Sequence, residues 1–119
     1  MTIRKSAEDY LEAILRLHTT KGYTRSVDIA TALSVSKPSV SVAMRNLREN
    51  GYITMGADNL ISLTESGMEI ASRIYERHRV LTEFFVKLGV AERIAETDAC
   101  KVEHDLSPET FEAIRKHIR

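Results

Sequence analysis

Apolar residues recur at helical spacing through the first fifty positions, and then the period changes. Tyr10, Leu11, Ile14 and Leu17, with His18 beside them, trace one stripe of a helix. Ser6 is its expected cap, with Asp9 three residues on, and Gly22 its expected stop. Val27, Ile29, Ala30 and Leu33 are the apolar positions of a second, short helix, "SVDIATAL", with Ser26 as its cap. After the turn "SVSK", Ser36 is placed to cap a third helix with Pro38 in its first turn, where a missing N–H costs little. This helix runs through Val40, Ala43, Met44 and Leu47 to Asn50-Gly51, a common C-terminal signal. In "YITMGADNLISL" the β-prone segments Tyr52-Ile53-Thr54 and Leu60-Ile61-Ser62-Leu63 flank a turn-prone Gly56-Ala57-Asp58-Asn59, which predicts a small hairpin. Thr64 then caps a long helix closed by Gly89, with an apolar stripe of Ala71, Ile74, Leu81, Phe85 and Leu88. Residues 91–105 predict another helix, and Ser107-Pro108 opens a last one. The chain therefore reads as mostly α with one small β-hairpin.

Helix, short turn, helix and hairpin is the order of a winged helix-turn-helix, with residues 26–50 as the bihelical unit. Bases are read from the N-terminal end of the helix that enters the major groove. Here that end holds Ser36, Lys37, Pro38, Ser39, Ser41 and Val42, which are small, polar or able to touch a thymine methyl. Arg45 and Arg48 lie further along and suit phosphates, as do Arg25, Thr24 and Lys37. The wing tip, Asp58-Asn59, is poor in basic residues. The same pattern also fits a metal-independent winged-helix interaction module.

Composition narrows the classes. Length suits one domain or two small ones, and 43% hydrophobic with 29% charged residues suits a globular chain. No apolar run approaches the roughly 20 residues of a membrane span, and "MTIRKSAEDY" holds no apolar signal-peptide core. The single Cys100 excludes an internal disulfide, so a cytoplasmic protein without a membrane partner is expected. Net charge is zero, but residues 1–63 carry 8 Lys/Arg against 6 Asp/Glu, and residues 64–119 carry 9 against 11. Zero net charge argues against a dedicated nucleic-acid binder unless the acidic half holds cations.

Donors for such cations are present. At helical spacing Glu96, Cys100, Glu103 and His104 fall within an arc of roughly 100°, and a divalent metal needs several converging donors. His78 lies on the apolar stripe of the long helix and should face inward, which a hydrogen-bonded core histidine would also do. Asp9 and Glu12 share a face of the first helix opposite its apolar stripe; solvated acidic residues near a helix N-terminus account for them equally well. Cys100 by itself reads as a small buried hydrophobe or as a ligand.

"SAEDYLEAILRL", "SVDIATALSVSKPSVSVAMRNLRENGYI", "LTESG", "RHRVLTEFF" and "ACKVEHDLS" follow one another in this order. Together, from about residue 6 to about residue 115, they resemble the diphtheria toxin repressor family of iron- and manganese-dependent regulators, and most closely its manganese transport regulator branch. The resemblance implies a winged helix-turn-helix DNA-binding domain over residues 1–63 and a helical metal-binding and dimerisation domain over residues 64–119. It implies a homodimer on a double-stranded DNA operator, with divalent metal bound between the domains and favouring DNA binding. It assigns Asp9, Glu103 and His104 as ligands, and matches Glu12 and His78 to positions that bind metal in the manganese branch. Cys100 stands where the iron branch has cysteine and some manganese members have glutamate. Glu96 matches an ancillary-site position that is histidine in the iron branch, and Thr82 falls where an ancillary glutamate often sits, with Glu83 adjacent. The iron branch commonly has methionine at the Asp9 position, and hard oxygen donors suit Mn2+. Mn2+ is therefore the expected cation and Fe2+ the next, with Zn2+, Co2+ or Cd2+ able to bind in vitro. The C-terminal SH3-like domain common in the iron branch is not expected after Arg119, so the chain reads as a minimal member or a truncated one. The rival class is a helical metalloenzyme. No pocket-forming loop or separate nucleophile motif supports it, so neither catalytic residues nor a small-molecule substrate is expected.

Overall fold

The computed structural model describes residues 5–118, so the outermost ends of both expected domains lie outside the described residues. The chain divides into two compact units, residues 1–72 and 73–119.

The first unit opens with α1, Lys5–Lys21. Lys5 is already helical, so Ser6 lies within the helix and is not its cap. Gly22 ends α1 with φ +85°, a left-handed conformation that glycine adopts without a Cβ penalty. α2 is Ser26–Leu33. Its cap is Arg25, one residue before the expected Ser26, because the Arg25 N–H donates to Asp28 Oδ2 at 3.0 Å and so turns the backbone into the helix. α3 is Lys37–Glu49, capped as expected by Ser36 Oγ, which accepts from the Ser39 N–H at 3.2 Å.

The hairpin pairs β1, Ile53–Met55, antiparallel with β2, Ile61–Leu63, placing Ile53 opposite Leu63 and Met55 opposite Ile61. The Ile61 N–H donates to Thr24 O at 2.8 Å, which fastens β2 to the connection between α1 and α2. One core gathers the predicted stripes: Leu11, Ile14, Ile29, Val40, Met44, Leu47, Ile53 and Ile61. α4, Glu65–Lys87, begins in this unit. Ala71 belongs to the same core and Ile70 packs against it, so the first turns of α4 pack with the N-terminal unit.

Thr64 caps α4 and does a second job. Its Oγ1 accepts from the Gly67 N–H at 3.2 Å and donates to Gly51 O at 2.7 Å. Thr64→Ala removes both, and the unfolding free energy measured by urea titration is expected to fall by about 2 kcal/mol.

In the second unit α4 continues from Arg73 and is followed by α5, Glu92–Val102, and α6, Pro108–His117. Ile74, Leu81, Ala95, Ala99 and Phe111 are buried. Leu88, expected on the apolar stripe, is 66% exposed because α4 stops at Lys87 and the chain turns at Gly89, φ +104°. α5 also stops earlier than expected: residues 103–105 form a turn, with the Asp105 N–H donating to Val102 O at 3.0 Å. Ser107 caps α6 by accepting from the Thr110 N–H at 3.1 Å. No helix of the described residues is long and apolar enough to cross a membrane.

Candidate metal centre and helix face

The short end of α5 brings its polar residues towards α4. His78 Nδ1 lies 3.0 Å from Glu103 Oε2 and 3.6 Å from Cys100 Sγ. One donor atom from each of His78, Cys100 and Glu103 falls within 4.8 Å of the others. Glu103 is fully buried, and His104 Nε2 lies 3.5 Å from its Oε1. That Oε1 has no hydrogen-bond partner among the described residues. A buried carboxylate oxygen left unbonded is costly. Together with the imidazoles and the thiol beside it, the atom suits a divalent cation, so the residues present fit the metal that the sequence suggests.

The remaining candidates are placed variously. Glu96 is exposed on α5, and its carboxylate is not part of the His78–Cys100–Glu103 group. Thr82 is turned to its own helix, its Oγ1 donating to His78 O at 2.7 Å, and Glu83 is exposed and pairs with Lys87 at 3.5 Å. On α1 Asp9 is half-buried, whereas Glu12 is only 5% exposed. The alternative reading of a solvated acidic face therefore fails for Glu12.

In the first unit α3 buries Val40, Met44 and Leu47 and turns the opposite side outward. Ser36, Lys37, Pro38, Ser39, Ser41, Val42 and Arg45 are all exposed. They form the polar face and N-terminal end that a groove-entering helix needs. Arg25 is exposed as well, and its Nε donates to Asp58 O at 3.4 Å, so it also holds the wing turn. Thr24, expected among the phosphate contacts, is buried with its Oγ1 donating to Ile14 O at 3.3 Å; it is structural.

Residues 2–58 match the iron dependent repressor N-terminal DNA binding domain, and residues 64–119 match the iron dependent repressor metal binding and dimerisation domain. The transcriptional regulator MntR of Escherichia coli is 38% identical over 112 residues, which cover 94% of this chain and 72% of the relative. The chain belongs to the iron-dependent repressor family. Members of this family are metal-dependent transcriptional regulators. Two solved structures extend the likeness to the fold. T. acidophilum IdeR is 25% identical with a TM-score of 0.83, covering 99% of this chain and 55% of its own. A manganese-dependent transcriptional repressor in complex with manganese is 29% identical with a TM-score of 0.85, covering 93% and 51%. The chain thus spans about half the length of these solved structures.

In the His78–Cys100–Glu103 group the protonated form of His78 is favoured. Hydrogen bonds to Cys100 and Glu103, which accept from the ring, favour the imidazolium of His78 and push its pKa up from 6.5 to about 10. The raised value means that the charged pair stabilises the metal-free fold fully below pH 6.5 and loses that effect as pH rises through about 10. A cation held by His78 would run the other way, because the proton would have to leave before Nδ1 could act as a donor. Between pH 6.5 and about 10, the melting temperature of the chelated protein should fall while Mn2+ affinity rises. Thermal scans and calorimetric titration across this range check both.

One buried residue in contact with Glu103 was not singled out from the sequence. Arg77, 8% exposed, donates from Nη1 to Glu103 O at 3.1 Å and to Leu106 O at 2.7 Å. Its position was a usable signal: it lies three residues after Ile74 and four before Leu81, so it shares their face.

Proposed function

We propose that this chain is a cytoplasmic, homodimeric repressor that binds an operator in duplex DNA when loaded with Mn2+, with Fe2+ the next candidate, and that it catalyses no reaction. The reading assigns DNA binding to residues 1–63 and metal binding and dimerisation to residues 64–119. The observation that carries it is the convergence of buried His78 and Glu103 with the exposed Cys100, with His104 beside them. It occurs in a chain whose α3 presents an exposed polar end of the kind that reads a major groove.

His78, Cys100, Glu103 and His104 are the donors contributed by the second unit. The family resemblance adds Asp9 and Glu12 of α1, an assignment resting on the resemblance alone. A bound divalent cation supplies positive charge to this set of carboxylates. Asp9, Glu12 and Glu103 provide hard oxygens, which favour Mn2+. Cys100 provides a softer atom, which keeps Fe2+, Zn2+, Co2+ and Cd2+ able to compete in vitro. On α3, Ser39, Ser41 and Val42 meet base edges while Arg45 and Lys37 meet phosphates. Metal raises operator affinity only as far as the DNA-bound arrangement holds the cation more tightly than the free one.

The test is a gel shift on the promoter of a neighbouring metal-transporter gene with Mn2+, Fe2+ or chelator. Strong retardation with Mn2+ and its loss on chelation is the expected result. Equal binding in all three conditions would refute metal activation.

A further inference from the structure

Glu103 is gripped at both ends by consecutive residues of α4. The His78 ring meets its carboxylate, and the guanidinium of Arg77 meets its main-chain carbonyl. The second contact is unusual in what it bridges. α5 ends at Val102, so the carbonyls that follow have no partner in the helix ladder. Arg77 Nη1 donates to two oxygens of that exit, Glu103 O and Leu106 O, and so closes the turn that contains His104. Its cation also stands at the C-terminal end of α5, where positive charge is favoured. The guanidinium is seated in turn over the ring of Phe111 on α6, 5.2 Å from the centroid. Nearly all of this arginine is buried, so its position is set by α4, the turn and α6 together.

We propose that Arg77 is a positioning residue of the metal centre. It fixes the backbone of residues 103–106, and thereby the direction in which the Glu103 carboxylate and the His104 ring leave the chain, without touching the cation itself. This inference rests on the reading of His78, Cys100, Glu103 and His104 as metal donors. Groups that orient ligands typically govern metal affinity by about 10–100-fold. The planar, always-charged fork of arginine is what suits the task; an ammonium keeps the charge but not the geometry.

The experiment compares wild type, Arg77→Met and Arg77→Lys, with Arg79→Met as a control on the exposed side of the same helix. Co2+ serves as a spectroscopic probe, and its affinity and absorption spectrum at saturation are recorded. The melting temperature of each chelated protein is recorded beside them. Arg77→Met should bind Co2+ about 10–100-fold more weakly. Its saturated spectrum should also differ from wild type, because the donors approach the ion differently. Arg79→Met should match wild type in both. A merely structural role predicts a lower melting temperature with an unchanged saturated spectrum, and that result overturns the proposal. If Arg77→Met does not fold, Arg77→Lys decides by the same spectral criterion. Failure of the wild type to bind Co2+ stoichiometrically would remove the underlying metal-centre reading as well. Normal wild-type binding with an unaltered Arg77 variant would remove only the role of Arg77.

Discussion

Replacing Glu103 by Gln is expected to weaken Mn2+ binding by on the order of 100-fold or more and to make operator binding indifferent to chelator. Gln keeps the size of the side chain and one oxygen, so the fully buried space is still filled. What changes is charge and donor count. Glu103 Oε2 faces His78 Nδ1 at 3.0 Å, and Oε1 has no hydrogen-bond partner among the described residues. An amide group puts N–H donors on one of these two positions. Facing His78 it would compete with the imidazolium; at the other position it would present hydrogens where a cation needs a lone pair. Isothermal titration with Mn2+ gives the affinity, and unchanged binding would remove Glu103 from the centre. A second readout separates metal from proton. Glu103 is one of the two groups that raise the pKa of His78, so the variant should lose part of the pH dependence of the chelated protein.

The fold was largely readable because its signals are local. The Ser36 cap, the Asn50-Gly51 stop and the hairpin turn each follow from a few neighbouring residues, and each lies where the pattern puts it. One boundary error is local, and another is set by a distant group. Asp28 moves the cap of α2 from Ser26 to Arg25. Arg77, 26 residues away from Glu103, bridges the exit of α5, which ends three residues before the pattern suggests. The candidate site was legible only in part for the same reason. Helical spacing groups Glu96 with Cys100 and Glu103 on one helix, whereas the structure gathers Cys100 and Glu103 with His78 of α4. The charge asymmetry along the chain pointed to cation binding without locating it. Naming the donors required either the resemblance or the tertiary structure.

Gly67→Ala is expected to destabilise the first unit by about 3 kcal/mol or more, although alanine is the better helix former. Gly67 lies in the first turn of α4, where the intrinsic preference alone would favour alanine by about 1 kcal/mol. Space reverses the sign. A Cβ at this position would overlap Tyr52 O and stand 3.0 Å from Tyr52 C and 3.3 Å from Leu63 Cδ2. The carbonyl cannot swing away cheaply, because Tyr52 O already accepts the Thr64 N–H at 3.0 Å. Nor can the helix start withdraw freely, since the Gly67 N–H is held by Thr64 Oγ1 and Thr64 Oγ1 by Gly51 O. Relief must therefore come from moving α4 off the hairpin, which breaks these bonds and loosens Ile70 and Ala71 against the core. Because β1 begins at Ile53, the same movement displaces the wing, and operator affinity should fall along with the urea midpoint. A Gly67→Ala protein as stable as wild type would show that the close approach of α4 to Tyr52 does not exist in solution.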